Sequence, residues 1–175
     1  KIHAIMIYLY SMDICVCQHI TDLKRCQERV KKMEFGKMPY SRPDMEACKK
    51  SICELTARLE AAESYDEAKK IFLEYDELQR HLDTLVNLAY IRHSIDTRDA
   101  FYDEEKKFFN NALPEVEEYN QKWTEALLKS PFRKEFSEDF GEVLFINAEI
   151  ALKSFSPEII PELQAESDLT QEYEK

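Results

Sequence analysis

Residues 89–99 read AYIRHSIDTRD and gather an arginine, a histidine and an acid within five positions, Arg92 to Asp96. These types could transfer protons or hold a charged group, because imidazole titrates near neutral pH beside the fixed charges of guanidinium and carboxylate. On a helix, Arg92 and Asp96 stand four apart and can pair, while Tyr90, His93 and Thr97 form a neighbouring polar stripe at i, i+3 and i+7. Ser94 adjoins His93, but neighbouring helical residues point about 100° apart, so a nucleophile–base pair is not expected there. Two readings stand. Tyr90, Arg92, His93, Asp96 and Thr97 are either a buried polar network that fixes helix register or the polar lining of a cleft.

A second constellation is Glu77 and His81, at i and i+4, the spacing of two metal ligands on one helical turn. No third ligand stands nearby, and a solvated charge pair is the plainer reading. A site made from Glu77, His81 and His93 is the weaker expectation. The histidines are His3, His19, His81 and His93, and no H-E-x-x-H occurs. Two isolated glycines, Gly36 and Gly141, can build neither a phosphate loop nor a G-x-S-x-G elbow. No catalytic or metal-ligating residue is therefore assigned.

The elements that must position these residues are helical. The 70 residues from Asp44 to Leu113 contain neither glycine nor proline, which favours long helices and argues against a hairpin-rich β fold. A first helix is expected to run to about Ala62, capped by Ser41 or Asp44, with Pro43 in its first turn and Met45, Cys48, Ile52, Leu55 and Leu59 inward. Ser64 and Glu67 form a capping box for a second helix. Its seam, Ala68, Ile71, Tyr75, Leu78, Leu82, Leu85 and Ala89, alternates steps of three and four, and Leu88, Ile91 and Ile95 add a second apolar face. Thr97 is expected to cap a third helix to about Lys129, with Phe101, Phe108, Ala112, Val116, Tyr119 and Trp123 inward and a kink or break near Asn110 imposed by Pro114. A fourth is expected over about Ser137–Phe155, carrying Phe140, Leu144, Ala148, Ala151 and Phe155. Pro157 and Pro161 mark an irregular stretch, and DLTQEYEK reads as opening turns of a helix without a C-terminal signal, which suggests truncation. The fold class is all-α, an antiparallel bundle of long helices.

Composition bounds the partners. The net charge is −11, with residues 1–32 at +3 and the remainder at −14. Such a chain repels phosphate backbones and anionic lipid, so neither nucleic acid nor membrane is an expected partner. The apolar run Ala4–Tyr10 is too short to span a bilayer and lacks a cleavage site. Residues 1–32 read as an N-terminal extension of uncertain order, with a strand or short helix first and a short basic helix over 20–32. Cys15, Cys17, Cys26, Cys48 and Cys53 follow no disulfide framework, as expected of reduced thiols in a cytoplasmic protein.

From Met33 onward, the stretches FGKMPYSRPDM, SYDEAKKIFLEYDEL, LAYIRHSIDTRDAFYDEE, QKWTEALLKSPFRKEF and KSFSPEIIPELQAESDLTQEYEK occur in an order and spacing that resembles the N-terminal region of oligoendopeptidase F-type zinc metallopeptidases, relatives of thimet oligopeptidase. The resemblance implies that residues 33–175 are the helical lobe of a larger cytosolic enzyme that hydrolyses short peptides. Its partners would be a catalytic lobe and short peptides. Zinc would sit on the histidines of an H-E-x-x-H segment and a downstream glutamate in that other lobe, with no cofactor in this chain. The lobe would supply part of the wall of a substrate channel and be inactive alone. Under this resemblance the 90–97 cluster is preferred as a buried network, with channel contact as the alternative. A free-standing helical module that binds protein partners is the competing expectation.

Overall fold

The computed structural model describes residues 38–154 and 157–173, so the expectations for residues 1–32 and Phe155 lie outside the described residues. Tyr40 to Lys175 forms one compact unit. Its described residues hold six α-helices and no strand: α1 (Met45–Glu60), α2 (Tyr65–Ile95), α3 (Ala100–Lys129), α4 (Arg133–Phe140), α5 (Val143–Ser154) and α6 (Ile160–Tyr173), with a 3₁₀ turn (Pro157–Ile159) before α6.

Local chemistry sets the boundaries of α1 and α2. Asp44 caps α1 by accepting from the Ala47 amide at 3.0 Å, which leaves Pro43 one residue before the cap. Ser64 caps α2 by accepting from the Glu67 amide at 3.3 Å. The return bond of the capping box shifts by one residue, since the Glu67 carboxylate takes the Glu63 amide at 3.3 Å. Four residues separate α1 from α2 and four separate α2 from α3, so α1, α2 and α3 run up, down and up. α3 is the axis of the unit and packs against α1, α2, α5 and α6.

The core follows the seam for most of its length. Met45, Ile52, Leu55 and Leu59 of α1 are buried, as are Ala68, Ile71, Leu82, Leu85, Leu88 and Ala89 of α2 and Val116, Trp123, Ala126 and Leu127 of α3. Tyr75 stacks on Trp123 with ring centroids 4.0 Å apart. α4 closes one end by sending the fully buried Phe136 against Phe72 and Tyr65. Lys49 to Glu115 at 2.6 Å and Arg58 to Glu74 at 2.6 Å tie α1 to its neighbours.

Several expectations are corrected. Ile95 and Phe101, at the facing ends of α2 and α3, are exposed because the chain turns there, although the Phe101 ring still meets Tyr40 edge-on. Asp99, not Thr97, caps α3, accepting from the Phe101 amide at 2.9 Å. Pro114 does not break α3, which is continuous on both sides of it; a helix packed on several faces can absorb one lost hydrogen bond. The single fourth helix is instead two, α4 and α5, divided at Gly141. The irregular proline stretch opens α6, with Pro161 in the first turn, where its missing amide costs nothing.

Gly141 has φ 86° and ψ 153°, a region that a residue with a Cβ rarely enters, although an added Cβ would meet no atom within 4 Å. The cost of Gly141→Ala is then backbone strain alone. Urea denaturation should show a loss of about 1–3 kcal/mol. A loss below about 0.5 kcal/mol would mean that the α4–α5 corner is not held in this geometry.

Candidate functional site

The 90–97 cluster is drawn apart by the end of α2. The helix stops at Ile95, and Asp96 adopts extended backbone, φ −141° and ψ 97°. The side chain therefore leaves the i, i+4 line of Arg92 and turns to the loop, accepting from the Arg98 amide at 3.0 Å and pairing with the Arg98 guanidinium at 3.7 Å. The Arg92–Asp96 pair is not formed. Thr97 lies half-buried in the turn.

Arg92 reaches α3 instead. It donates to the Tyr102 hydroxyl at 2.7 Å and lies over the rings of Tyr102 and Tyr40, 5.5 and 5.9 Å from their centroids. His93 is 1% exposed, with Nε2 3.6 Å from Asp103 Oδ1 and without a hydrogen bond at that nitrogen. Asp103 is held by Lys107 at 3.0 Å and by Gln171 Nε2 at 2.8 Å. Gln171, buried at the end of α6, also accepts from Asn110 at 3.2 Å, and Asn110 accepts from the Tyr90 hydroxyl at 2.9 Å. Burial pushes the Tyr90 phenol up to about 12, so it stays a donor at neutral pH. Tyr90, Arg92 and His93 thus belong to polar clusters linking α2 to α3 and α6, whereas Asp96 and Thr97 do not.

Beside them sits a carboxylate that sequence reasoning missed. Glu105 of α3 is 1% exposed. It accepts from Arg42 Nε at 2.8 Å and from the Tyr40 hydroxyl, and burial together with this bond holds the Tyr40 phenol well above its ordinary range. Its signal was legible: Phe101, Glu105, Phe109, Ala112 and Val116 recur at helical steps, and an acid on an apolar stripe requires a partner. Tyr40 and Arg42 gave no comparable signal, because they precede α1 and are far from Glu105 in sequence. Arg42 also lies over the Phe108 ring at 4.6 Å and borders a surface groove of about 720 Å³. Lys49, Glu104, Lys107 and Glu115 contribute charges of both signs to that groove.

Glu77 and His81 are both exposed on α2. His93 is buried twelve residues farther along the same helix, about 18 Å at the helical rise, so the three cannot converge on one ion. Among the described residues no group of three or more His, Cys, Asp or Glu side chains could hold a metal ion. The described cysteines, Cys48 and Cys53, are free thiols. No described helix is long and apolar enough to cross a membrane.

A second acidic locus was also missed. Asp83 on α2 is pushed up to about 6 by burial and then by the negative charge of Asp76, and burial raises Glu117 on α3 as well.

Comparison with known proteins gives a consistent answer. The family model for the peptidase M3 N-terminal domain matches residues 35–155. Among solved structures, PZ peptidase A with a bound inhibitor is 36% identical with a TM-score of 0.77, over 80% of this chain and 25% of that one. A chain described as an oligoendopeptidase F from Bacillus anthracis is 38% identical with a TM-score of 0.77, over 81% of this chain and 26% of that one. A search of curated proteins found no match. The chain spans about a quarter of the length of the structures it resembles.

Two measurements test the site. A double-mutant cycle on Arg42 and Glu105 should give a coupling of about 1.5–3 kcal/mol, as expected for a hydrogen bond to a buried charge. The same cycle on Arg92 and Asp96 should give less than about 0.3 kcal/mol, and the reverse order would contradict these pairings. For Asp83 the folded pKa lies above the unfolded one, so its stabilising contribution is present below about pH 4 and lost as pH rises through about 6. Asp83→Asn should then stabilise the chain by about 1 kcal/mol at pH 7, after discounting for partial exposure, with no gain near pH 4. Equal effects at both pH values, read by urea denaturation, would contradict the burial of Asp83.

Proposed function

The chain belongs to the M3 peptidase N-terminal domain family, and from that premise we propose that it is the N-terminal helical lobe of a zinc-dependent oligoendopeptidase that hydrolyses short peptides in the cytoplasm. The observation that carries this reading is the family match over residues 35–155, joined to the same helical fold at 36–38% identity inside much longer peptidase chains. In this reading the chain pairs with a catalytic lobe. Zinc, when bound there, supplies Lewis acidity and an activated water to the peptide carbonyl. The described residues of this chain do not fit a metal, so no chemical step is assigned to them.

Their part is positional. Arg42 and Tyr40, closed over Glu105, fasten the segment before α1 to α3, and the Tyr90–Asn110–Gln171 chain fastens α6 to the same helix. A wall held in this way can present a fixed surface to an extended peptide. The groove beside Arg42, with both charge signs around the Phe108 ring, supports the channel-wall reading. The free-standing interaction module differs in needing no catalytic lobe.

Purified chain should not cleave quenched fluorescent peptides with or without added zinc, and any chelator-sensitive cleavage would overturn its assignment as a lobe inactive alone. A chimera in which this chain replaces the matching N-terminal quarter of the Bacillus anthracis oligoendopeptidase F should fold and cleave such peptides. A chimera that folds but does not cleave would remove the support for a peptidase role.

A further inference from the structure

The sequence of α5, VLFINAEIALKS, is apolar on more than one side. Phe145 and Ala148 point inward, 2% and 4% exposed. Val143, Ile146 and Ile150 do not: they are 58%, 52% and 55% exposed. At i, i+3 and i+7 they fall within about 60° of one another around the helix. Scattered exposed aliphatic residues are ordinary, but three aligned on one face of a helix already buried on another face are not. Such a helix is built to lie between two neighbours. Polar groups flank the row: Glu142 and Lys153 are exposed, and Arg133 pairs with Glu149 at 2.8 Å. An apolar centre with a charged rim is the anatomy of a protein interface.

We propose that Val143, Ile146 and Ile150 are the docking row against the catalytic lobe of an M3 peptidase, an inference that rests on the function proposed above. The occupant follows from length. α5 lies inside the family match, and in each solved relative the matched fold is only 25–26% of the chain, which leaves about three quarters of such a chain available to cover an apolar row. An anionic lipid surface is a poor occupant for a chain of net charge −11.

The test uses the same chimera. Ile146→Lys with Ile150→Lys should leave the helicity and melting of the 175-residue chain unchanged, since both positions are exposed in it. In the chimera the pair should lower peptide cleavage by about fivefold or more. Ile146→Val with Ile150→Val should restore activity, and Leu73→Lys, at an exposed apolar position on α2, should have little effect. An active chimera indifferent to the lysine pair, or equally impaired by Leu73→Lys, overturns the docking row while leaving the proposed function intact. An unsubstituted chimera that folds without cleaving removes the proposed function first. Sedimentation showing an isolated chain that dimerises, with the dimer abolished by the lysine pair, would assign the row to a second copy and overturn the catalytic lobe as occupant.

Discussion

A carboxylate sits buried in the flank of the helix around which everything else packs. An unpaired charge at the position of Glu105 costs several kcal/mol, so α3 cannot be buried there unless a donor comes to it. The donors are Arg42 and Tyr40, and both lie on the segment that enters α1. Satisfying one side chain therefore fastens the segment that enters α1 to α3. The same requirement recurs along α3, where Asn110 and Asp103 are met by Tyr90 from α2 and Gln171 from α6. Apolar packing alone would tolerate small slips of one helix past another. Directional bonds at these positions remove that freedom.

That division explains what was legible in the sequence. Helix existence was legible because a run without glycine or proline, with an unbroken three–four seam, admits little else. The starts of α1 and α2 were legible because Asp44 and Ser64 act locally, within one turn. The α4–α5 corner was not, because the apolar pattern continues past Gly141 and only its positive φ ends the helix. Arg92–Asp96 failed for a related reason. The inference carried helical spacing past Ile95, and the cap conformation of Asp96 breaks that spacing. The partners of Glu105 come from more than 60 positions away, and no periodicity connects such residues.

Chemistry-bearing residue types were also a poor guide to where this lobe acts. Arg92 is spent on the rings and hydroxyl of its neighbours, and Tyr90 on Asn110. A group committed to such bonds is available to a peptide only at the cost of breaking them. The better guide is incomplete satisfaction. Arg42 meets Glu105 on one side and the open groove on the other, its side chain 47% exposed. Val143, Ile146 and Ile150 on α5 stay exposed while Phe145 and Ala148 of the same helix are buried. These are the places where the unit has surface energy still to gain.

The two places have different physical characters, and the difference suits the proposed lobe, which would both join and face a partner. The α5 row is apolar, and its gain on burial scales with area and is indifferent to direction. It suits a permanent contact. The groove is ringed by charges of both signs around one aromatic ring, and such a surface gains through specific, reversible pairings that are screened by salt. It suits a ligand that arrives and leaves. Between them runs α3, which packs against α5 and whose buried Glu105 holds the segment bordering the groove. If the proposed contact forms on α5, α3 is the element through which it would position the groove.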